Sequence, residues 1–497
     1  MQRKLLTLIM ATGLSFNAMA ANDTLVIATS STVQTVNPHL ATVTQDYSIA
    51  NALYESLFRF DKDMNIVPDL ALDYTISDEG KVYTINLRQQ VKFTDGTPFN
   101  AQAVKFNFEY EIQNKLKHAS LLSSVKSIEA VSDDTLVITL NQGSNNFINN
   151  LAHPSQGIIS PKALEKYGKD INKLSAGTGR YQLAAWQHGS KVTLKANPNY
   201  WGGEPSIKQV EFRTVPEAGS RLAMLKSGQA QVMLQLPNTQ KPVVVADNKL
   251  TVVSTPSTIA SYYGFNVKNP ILGKVKVRRA LSYAIDRDAY IKVIYGGEAN
   301  KMHSIIPSKI ETYQAQTPFD YDVDKAKQLL SEAGYPNGFD VQIWSKSNTI
   351  DSRSAQFIQQ QLSLVGIKAK IVQRDVASHY AALGNINNSG NTPAVILQAS
   401  WSASSATADW SMRPLFQTGA EINFTSYSNP KLDQLFEQGQ ITLDKQQKTD
   451  IYQQIQHTVW EDAAAVWLTT PNQLFAKAKD VKGIRLSPDG AVILSEE

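Results

Sequence analysis

The sequence contains no cysteine among its 497 residues. Disulfide bonds, thiolate zinc sites, iron–sulfur clusters, cysteine nucleophiles and a lipid anchor on cysteine are therefore excluded. A marked excess of one charge sign is also missing, because 48 lysines and arginines stand against 44 aspartates and glutamates. The formal net charge of +4 over this length argues against a nucleic-acid-binding protein that relies on a basic surface.

Apolar runs long enough to cross a membrane are also missing. The N-terminal run, Leu5–Leu14, follows the basic residues Arg3 and Lys4 and precedes the small-x-small sequence at 18–20. It has about half of the ~20 residues that a membrane span needs, so it predicts a cleaved secretory signal rather than an anchor. We expect residues 1–20 to be a signal peptide and the mature chain to be a periplasmic protein without a lipid.

Motifs of the common enzyme classes are absent from the sequence. There is no G-x-S-x-G, no H-E-x-x-H and no Walker A loop, and Gly177-Thr178-Gly179 is only a fragment of a dinucleotide-binding loop. The seven histidines show no helical pairing that would preform a metal site. We therefore predict a protein that is not an enzyme and uses no cofactor or metal. These absences disfavour a secreted hydrolase, the alternative from another class.

Hydrophobic periodicity divides the chain into a β-rich first half and an α/β second half. In the first half we predict strands at Thr24–Thr29, Lys81–Gln89, Asp134–Asn141, Tyr181–Trp186 and Ser190–Ala196, and helices at Asp46–Phe60 and Ala101–Asn114. In the second half we predict helices at Lys274–Gly296, Ser352–Val365 and Thr449–Asp462, and strands at Phe339–Trp344, Lys368–Arg374, Ala394–Trp401 and, last of all, Ala464–Thr469. The strand–helix–strand segment 339–374 has the spacing of a parallel crossover.

The change of character along the chain predicts two lobes. Asn266–Pro270 and Ala463–Pro471 are the candidate crossings between them. A chain that leaves the first lobe late and returns at its C-terminus has a two-segment hinge, which suits closure around a ligand.

Several spaced motifs resemble the family 5 extracytoplasmic solute-binding proteins, which serve peptide, nickel and glutathione ABC importers. The motifs are Phe93–Phe106, Gly177–Gly179, Asn199–Trp201, Asn266, Val277–Asp286 and Glu332–Phe339, and the resemblance covers essentially the whole mature chain. The resemblance to the glutathione-binding branch lies in Leu151–Pro154, Ile159–Gly168, Trp401–Ser405, Ala408–Trp410 and Pro414–Phe416.

This resemblance implies the α/β fold of a two-lobed periplasmic binding protein, type II-like, with an extra subdomain on lobe I and a ligand cleft between the lobes. Lobe I would comprise residues 21–265 and 470–497 with the subdomain at about 59–177, and lobe II residues 266–469. The implied function is capture of glutathione or a similar small peptide by cleft closure and its delivery to an inner-membrane ABC permease. A di- or oligopeptide and a nickel chelate stay open as ligands, as does signalling to a chemoreceptor. We expect a monomer that binds no nucleic acid.

Three candidate ligand residues lie in one segment of lobe II. Asp409 resembles the family position whose carboxylate takes a ligand's free amine, with a helix N-cap as its alternative role. Trp401, at the end of a predicted strand, forms either a wall of the cleft or part of the core. Arg413, one turn after Asp409, is either a second anion contact or a salt-bridge partner of that carboxylate.

The other candidates are scattered along the chain. They are Lys346 and Arg353, where relatives place a carboxylate partner; Lys117, His118 and Ser120, which resemble a ligand-facing stretch of lobe I; Tyr262, before the first crossing; and Asn37, in an open loop. Glutathione-type relatives carry an arginine where His118 stands, and a neutral histidine is a weaker partner for a carboxylate than a bidentate arginine. Ordinary structural roles for these residues are a solvated charge for Lys346 or Arg353 and a turn for Asn37.

Overall fold

The structure, a computed structural model, describes residues 24–173, 176–386, 394–403 and 405–495. The predicted signal peptide, residues 1–20, lies outside these ranges. No helix within them is both long and apolar enough to span a bilayer.

The described residues alternate between strands and helices along the whole chain. The strands are β1 (Thr24–Thr29), β2 (Phe58–Phe60), β3 (Ile66–Pro68), β4 (Ala71–Ser77), β5 (Val82–Leu87), β6 (Val125–Ala130), β7 (Thr135–Leu140), β8 (Tyr181–Gln187), β9 (Lys191–Ala196), β10 (Gln209–Thr214), β11 (Val232–Met233), β12 (Leu250–Pro256), β13 (Ile259–Phe265), β14 (Ala299–Lys301), β15 (Asp340–Lys346), β16 (Lys368–Arg374), β17 (Val395–Ser402), β18 (Ala465–Ala478), β19 (Ile484–Leu486) and β20 (Val492–Leu494). The α-helices are α1 (Thr44–Leu53), α2 (Ala101–Gln113), α3 (Phe147–Leu151), α4 (Pro161–Tyr167), α5 (Ala218–Ser227), α6 (Lys241–Val245), α7 (Val275–Tyr283), α8 (Arg287–Tyr295), α9 (Val323–Glu332), α10 (Thr349–Ser363), α11 (Val376–Ile386), α12 (Ala408–Phe416), α13 (Pro430–Ile441) and α14 (Lys445–Glu461). Short 3₁₀ helices lie at Pro38–Leu40, Ala119–Leu122, Pro154–Gln156, Gly168–Lys173 and Asn238–Gln240.

One long mixed sheet runs through the molecule in the order β16-β15-β17-β13-β18-β11-β1-β10-β9-β8, with β12 and β14 also paired to β18. The predicted crossover is confirmed, because β15 and β16 pair in parallel with α10 between them. Separate hydrophobic cores lie around β1 and β10 and on the two faces of the sheet formed by β13, β15 and β17. The fold is therefore the expected two-lobed α/β architecture.

Strand β18 connects the two parts of this sheet. Its first residues pair with β13, Ala465 opposite Gly264, and its later residues pair with β12, Ala478 opposite Leu250. The prediction that the last strand ends at Thr469 is therefore wrong, and the hairpin β19-β20 follows as well. Pro471 does not end the strand. It lies where β18 changes partner from β13 to β12, and there it pairs with Ala299 of the short strand β14.

The predicted lobe boundary at residue 266 stays a prediction. Strand β13 lies before it, yet pairs with β17 and with the first part of β18. The chain passes from β12 to β13 through Ser257 and Thr258, so this short connection and the partner change in β18 lie side by side.

A separate four-stranded antiparallel sheet, β4-β5-β7-β6, packs against α2 within the predicted subdomain of residues 59–177. Its core is closed by aromatic side chains such as Tyr83 and Phe147, whose ring centroids are 5.2 Å apart. This unit therefore has a hydrophobic core of its own.

Two predicted helices differ from the structure. The helix expected over Asp46–Phe60 ends at Leu53, because the Leu53 carbonyl accepts a hydrogen bond from the Gly179 amide and the chain continues extended. A Cβ on Gly177 would lie 2.1 Å from the Leu53 oxygen, so this close approach requires glycine. The segment Lys274–Gly296 forms two helices, since Asp286 caps α8 by accepting from the Ala289 amide.

Candidate functional site

The loop between β17 and α12 is one place where the two parts of the molecule meet. The Asn149 side-chain Nδ2, in α3, donates to the Ser405 carbonyl at 3.1 Å. The Ala403 amide donates to the Thr258 carbonyl, and the Thr258 amide donates to the Pro488 carbonyl at 3.3 Å. Because Trp401 precedes this loop and Asp409 follows it, both lie next to the crossing segments.

Two tryptophans form an aromatic wall on the lobe II side. The rings of Trp401 and Trp410 are 5.3 Å apart, and the Trp401 indole N–H donates to the Trp410 carbonyl. Trp410 is 40% exposed and Trp401 is partly buried, so neither ring is enclosed in the core. Such a surface can cover a ligand backbone, which is the first of the two roles considered for Trp401.

Asp409 lies in the first turn of α12. Its carboxylate accepts hydrogen bonds from Arg413 and Tyr452. Arg413 Nε lies 3.0 Å from Oδ1 and 2.9 Å from Oδ2, Arg413 Nη2 lies 2.9 Å from Oδ1, and the Tyr452 hydroxyl lies 2.9 Å from Oδ1. The alternative that Asp409 caps the helix is wrong, because Thr407 is the N-cap and its Oγ1 accepts from the Trp410 amide.

Arg413 is a salt-bridge partner of Asp409. It also pairs with Glu437 at 2.8 Å and donates to the Phe436 carbonyl. Although burial opposes its charge, the Asp409 carboxylate raises the pKa of Arg413 above its ordinary value. Most N–H groups of the Arg413 guanidinium therefore already donate hydrogen bonds within lobe II.

Lys346 lies at the end of β15 and pairs with Asp351 at 3.1 Å. Its ammonium is also 6.0 Å from the centre of the Tyr380 ring, and its side chain is 14% exposed. Arg353 is directed elsewhere, since it donates to the Val293 carbonyl of α8. The structure therefore does not bring Lys346 and Arg353 into one group.

Tyr262 is buried in β13, and its ring lies 4.8 Å from Trp467. Burial, with the nearby Tyr380, raises the pKa of its hydroxyl. Tyr262 therefore contributes a neutral phenol to the lobe II core beneath the site.

A group of tyrosine and histidine side chains lies in lobe I, close in sequence to the Asn149 contact with the lobe II loop. Tyr47 in α1 contacts His153 edge to face, with ring centroids 5.5 Å apart, and His118 lies 5.6 Å from His153. The Tyr47 hydroxyl and His118 Nε2 both donate to the Ala41 carbonyl, at 3.2 and 2.6 Å. Asn149 precedes His153 by four residues, so its bond to Ser405 places this group beside the lobe II loop.

The histidines of this group are held neutral. Burial lowers the pKa of His153 to about 3 and that of His39 to about 4, with a smaller effect of His118 on both. Burial also lowers the pKa of His118, and Lys117 adds to this. His118 therefore offers a hydrogen-bonding ring at neutral pH, not a cation for a carboxylate.

The remaining lobe I candidates have simpler surroundings. Asn37 is buried, and its side chain accepts from the His39 amide, so it caps the 3₁₀ turn that follows. Lys117 and Ser120 are exposed on either side of His118. In the described residues, no three His, Asp or Glu side chains are grouped to hold a metal.

Sequence reasoning missed several side chains of this region. Trp410 and Tyr47 supply its aromatic surface, and Asp351 and Tyr380 surround Lys346. The resemblance at Ala408–Trp410 indicated one of these residues, Trp410. The others have no local signal, because each contacts its partner through the tertiary fold.

The buried histidines predict a loss of stability in mild acid. Because His39 and His153 have pKa values below the ordinary 6.5, their contribution is complete above pH 6.5 and falls as the pH drops towards 4 and 3. Each is expected to cost about 2 kcal/mol of unfolding free energy by pH 5. Urea unfolding at a series of pH values between 7.5 and 5 measures the change in unfolding free energy. His39→Gln should remove about 2 kcal/mol of this loss, whereas His188→Gln, on an exposed turn, should not change it.

Two α/β parts that meet over a surface of aromatic and charged side chains define a two-lobed ligand-binding protein. The model of the bacterial extracellular solute-binding proteins, family 5, matches residues 65–423. The chain is 38% identical over 485 residues to the glutathione-binding protein GsiB of Salmonella typhi, covering 96% of this chain and 94% of that protein. The chain belongs to family 5 of the bacterial extracellular solute-binding proteins, and it is a solute-binding protein.

Solved structures agree with this family. The HbpA2 structure from Haemophilus parasuis matches with a TM-score of 0.84 and 27% identity, covering 95% of this chain and 99% of that one. The periplasmic binding protein DppA from Helicobacter pylori, in complex with the peptide STSA, matches with a TM-score of 0.77 and 28% identity, covering 95% and 98%.

Proposed function

We propose that the chain is the periplasmic binding component of an ABC importer, and that it captures glutathione between its lobes and delivers it to an inner-membrane permease. The observation that carries this proposal is the near full-length identity of 38% to a protein named for glutathione binding. On this proposal the chain performs no chemistry on its ligand and acts as a monomer.

The charges and rings of the candidate site suit such a ligand. Glutathione has one ammonium group, two carboxylates and a flexible peptide backbone. Asp409 is a mostly buried carboxylate for the ammonium group, and the wall of Trp401 and Trp410 can cover the backbone. Ligand carboxylates would then be held by neutral donors and by Lys346, since His118 carries no charge.

Closure of the lobes is part of this proposal. In the part of the chain that the structure describes, the connection from β12 to β13 and strand β18 are the two segments that link the two parts of the long sheet. Both linking segments lie together at Thr258 and Thr469–Asn472, within the described residues, so rotation there would open and close the site.

Calorimetric titration of glutathione into the mature protein tests the proposal. We expect saturable 1:1 binding and no change in the glutathione recovered afterwards. A thermal-shift screen with glutathione disulfide, dipeptides and nickel–histidine separates the alternatives, because only ligands of the native state stabilise it. The peptide complex of the Helicobacter pylori neighbour makes a short peptide the second candidate. Stabilisation by a peptide without any by glutathione would select it.

We also propose export with cleavage after Ala20 and no lipid attachment. The intact mass of the periplasmic protein should correspond to a chain that starts at Ala21 or Asn22. Recovery of the uncleaved chain in the membrane fraction would contradict this expectation.

A further inference from the structure

A second cavity, of about 420 Å³, lies within lobe I. Its walls come from residues 51–88, 152–202 and 485–495, and they include none of the side chains named above for glutathione. The volume is within the range of small-molecule binding sites. The cavity is therefore large enough for a separate small ligand.

Arginines from distant segments of the chain line this cavity. They are Arg59, Arg88, Arg180 and Arg485. Arg59 pairs with Asp69, with 3.8 Å between its Nε and a carboxylate oxygen. In the described part of the chain, neither Arg88 nor Arg180 forms an ion pair with a carboxylate. These two arginines therefore carry their charge without a carboxylate in direct contact.

Both of these guanidinium groups stack on aromatic rings. The Arg88 guanidinium lies 4.1 Å from the centre of the Trp201 ring, and the Arg180 guanidinium lies 4.9 Å from the centre of the Tyr200 ring. The two rings are neighbours, with centroids 5.3 Å apart. Stacking uses the face of a guanidinium and leaves its in-plane N–H groups able to donate.

Most in-plane N–H groups of these two arginines have no acceptor in the protein. Arg88 Nε donates to the backbone carbonyl of Asp69 at 2.6 Å. Among the described residues, no other group accepts a hydrogen bond from Arg88, and none accepts one from Arg180. The N–H groups of an arginine form a fixed fork that matches the two oxygens of a carboxylate. Each of the two guanidinium groups can therefore bind one carboxylate.

Most carboxylates that line the cavity are already held by neutral donors. Asp61 accepts from two backbone amides of the turn that follows it, and Asp489 accepts from the Ser487 hydroxyl. Glu55 is buried and accepts three hydrogen bonds, at 2.7, 2.8 and 2.8 Å, from the Tyr200 hydroxyl, the Trp201 indole and the Thr178 hydroxyl. These carboxylates therefore do not occupy the donors of Arg88 and Arg180.

Asp69 is the fourth carboxylate at the cavity, and burial opposes its charge. Burial, and after it the neighbouring Glu55, raise the pKa of Asp69 well above its ordinary value, although the three nearest arginines act in the opposite direction. Burial also raises the pKa of Glu55. The two buried carboxylates therefore resist being ionised together, whereas the arginines stay charged. This balance favours an anion as the ligand of the cavity.

We propose that this cavity binds a small organic dicarboxylate, with one carboxylate held by Arg88 and the other by Arg180. Arg88 directly follows β5 and Arg180 directly precedes β8, so the two arginines reach the cavity from different segments. A ligand with two carboxylates can contact both, and the volume of the cavity leaves room for the carbon chain between them.

Fluorine NMR of the mature protein labelled with 5-fluorotryptophan tests the proposal with succinate as the probe. The Trp201 resonance, assigned through Trp201→Phe, should shift in a saturable way, because its ring lies under the Arg88 guanidinium. Succinamide has the same carbon chain without the charges, so it should bind at least roughly tenfold more weakly. Equally tight binding of succinamide, or no saturable shift of Trp201, would overturn the proposal.

Arg88→Gln and Arg180→Gln should each weaken succinate binding by roughly 10- to 150-fold, because each removes one charge-assisted contact. Arg374→Gln is the matched control. It removes the same charge from a guanidinium that also stacks on a tryptophan, 4.4 Å from the centre of the Trp344 ring, but that lies outside this cavity. It should change succinate binding by less than about twofold. Equal losses in Arg374→Gln and Arg88→Gln, or unchanged binding in both cavity variants, would contradict the assignment.

Arg88→Gln also separates this cavity from the glutathione site. Its glutathione affinity, measured by calorimetry, should equal that of the wild type, whereas a parallel loss of both ligands would refute a separate site. The comparison of succinate with succinamide uses the unmodified protein, so it decides the matter even if a variant folds poorly.

Discussion

Replacing Asp409 with alanine is expected to weaken glutathione binding by roughly 30- to 5000-fold, or about 2–5 kcal/mol. The ligand's ammonium group would then be desolvated without an anionic partner. A carboxylate has about four acceptor positions. Arg413 and Tyr452 occupy those of Oδ1 and one of Oδ2, which leaves Oδ2 able to accept from a ligand. Calorimetric titration of the wild type and the variant measures the loss.

Asp409→Asn separates binding from folding. Asparagine still accepts from Tyr452 and Arg413, so the unfolding free energy should fall less than in Asp409→Ala, where Arg413 loses a partner in a mostly buried pair. Binding should be weakened in both. Asp433→Asn is the control, because Asp433 also lies in the first turn of a lobe II helix but accepts from the Thr418 amide. Unchanged glutathione affinity in both Asp409 variants would show that this residue is not part of the binding site. If N-acetylated glutathione binds as tightly as glutathione, the free ammonium group does not contribute to binding.

Asn145→Ala is expected to weaken glutathione binding by about 5- to 150-fold. The Asn145 side chain, from the predicted subdomain, donates to the Gly439 carbonyl at 2.7 Å and to the Thr442 carbonyl, at the end of α13. These bonds join segments on opposite sides of the hinge, so we expect them in the closed state only. Their removal costs about 1–3 kcal/mol of closed-state stability. Since the ligand binds the closed state, its affinity falls by the same free energy.

Asn150→Ala is the matched control for Asn145→Ala. Its side chain donates to the Leu121 carbonyl within the same subdomain, and it makes no hydrogen bond across the hinge to any residue that the structure describes. Small-angle scattering should show a more compact bound state in the wild type, and a larger radius for ligand-free Asn145→Ala than for Asn150→Ala. Equal radii together with equal affinities would show that closure does not depend on this contact.

Several features of this protein follow from residues that are close together in the sequence. Periodicity over 339–374 predicted a parallel crossover, and the structure has it in β15, α10 and β16. The contact between Asp409 and Arg413 is also local, because residues four apart share one face of a helix. The absence of cysteine excludes disulfide bonds and thiolate metal sites, and the absence of catalytic motifs disfavours a hydrolase.

Contacts between distant segments were decided by the tertiary structure alone. Strand β18 continues past Pro471 because β12, more than 200 residues earlier, pairs with its second half. Tyr47, His118 and His153 come together from three separate segments of lobe I. The spacing of these residues in the sequence therefore could not predict the group. The loop between Trp401 and Asp409 likewise acquires its place from Asn149. Periodicity reports which face of one element is buried, but not which element covers it, because that depends on the burial and hydrogen bonding of the whole chain.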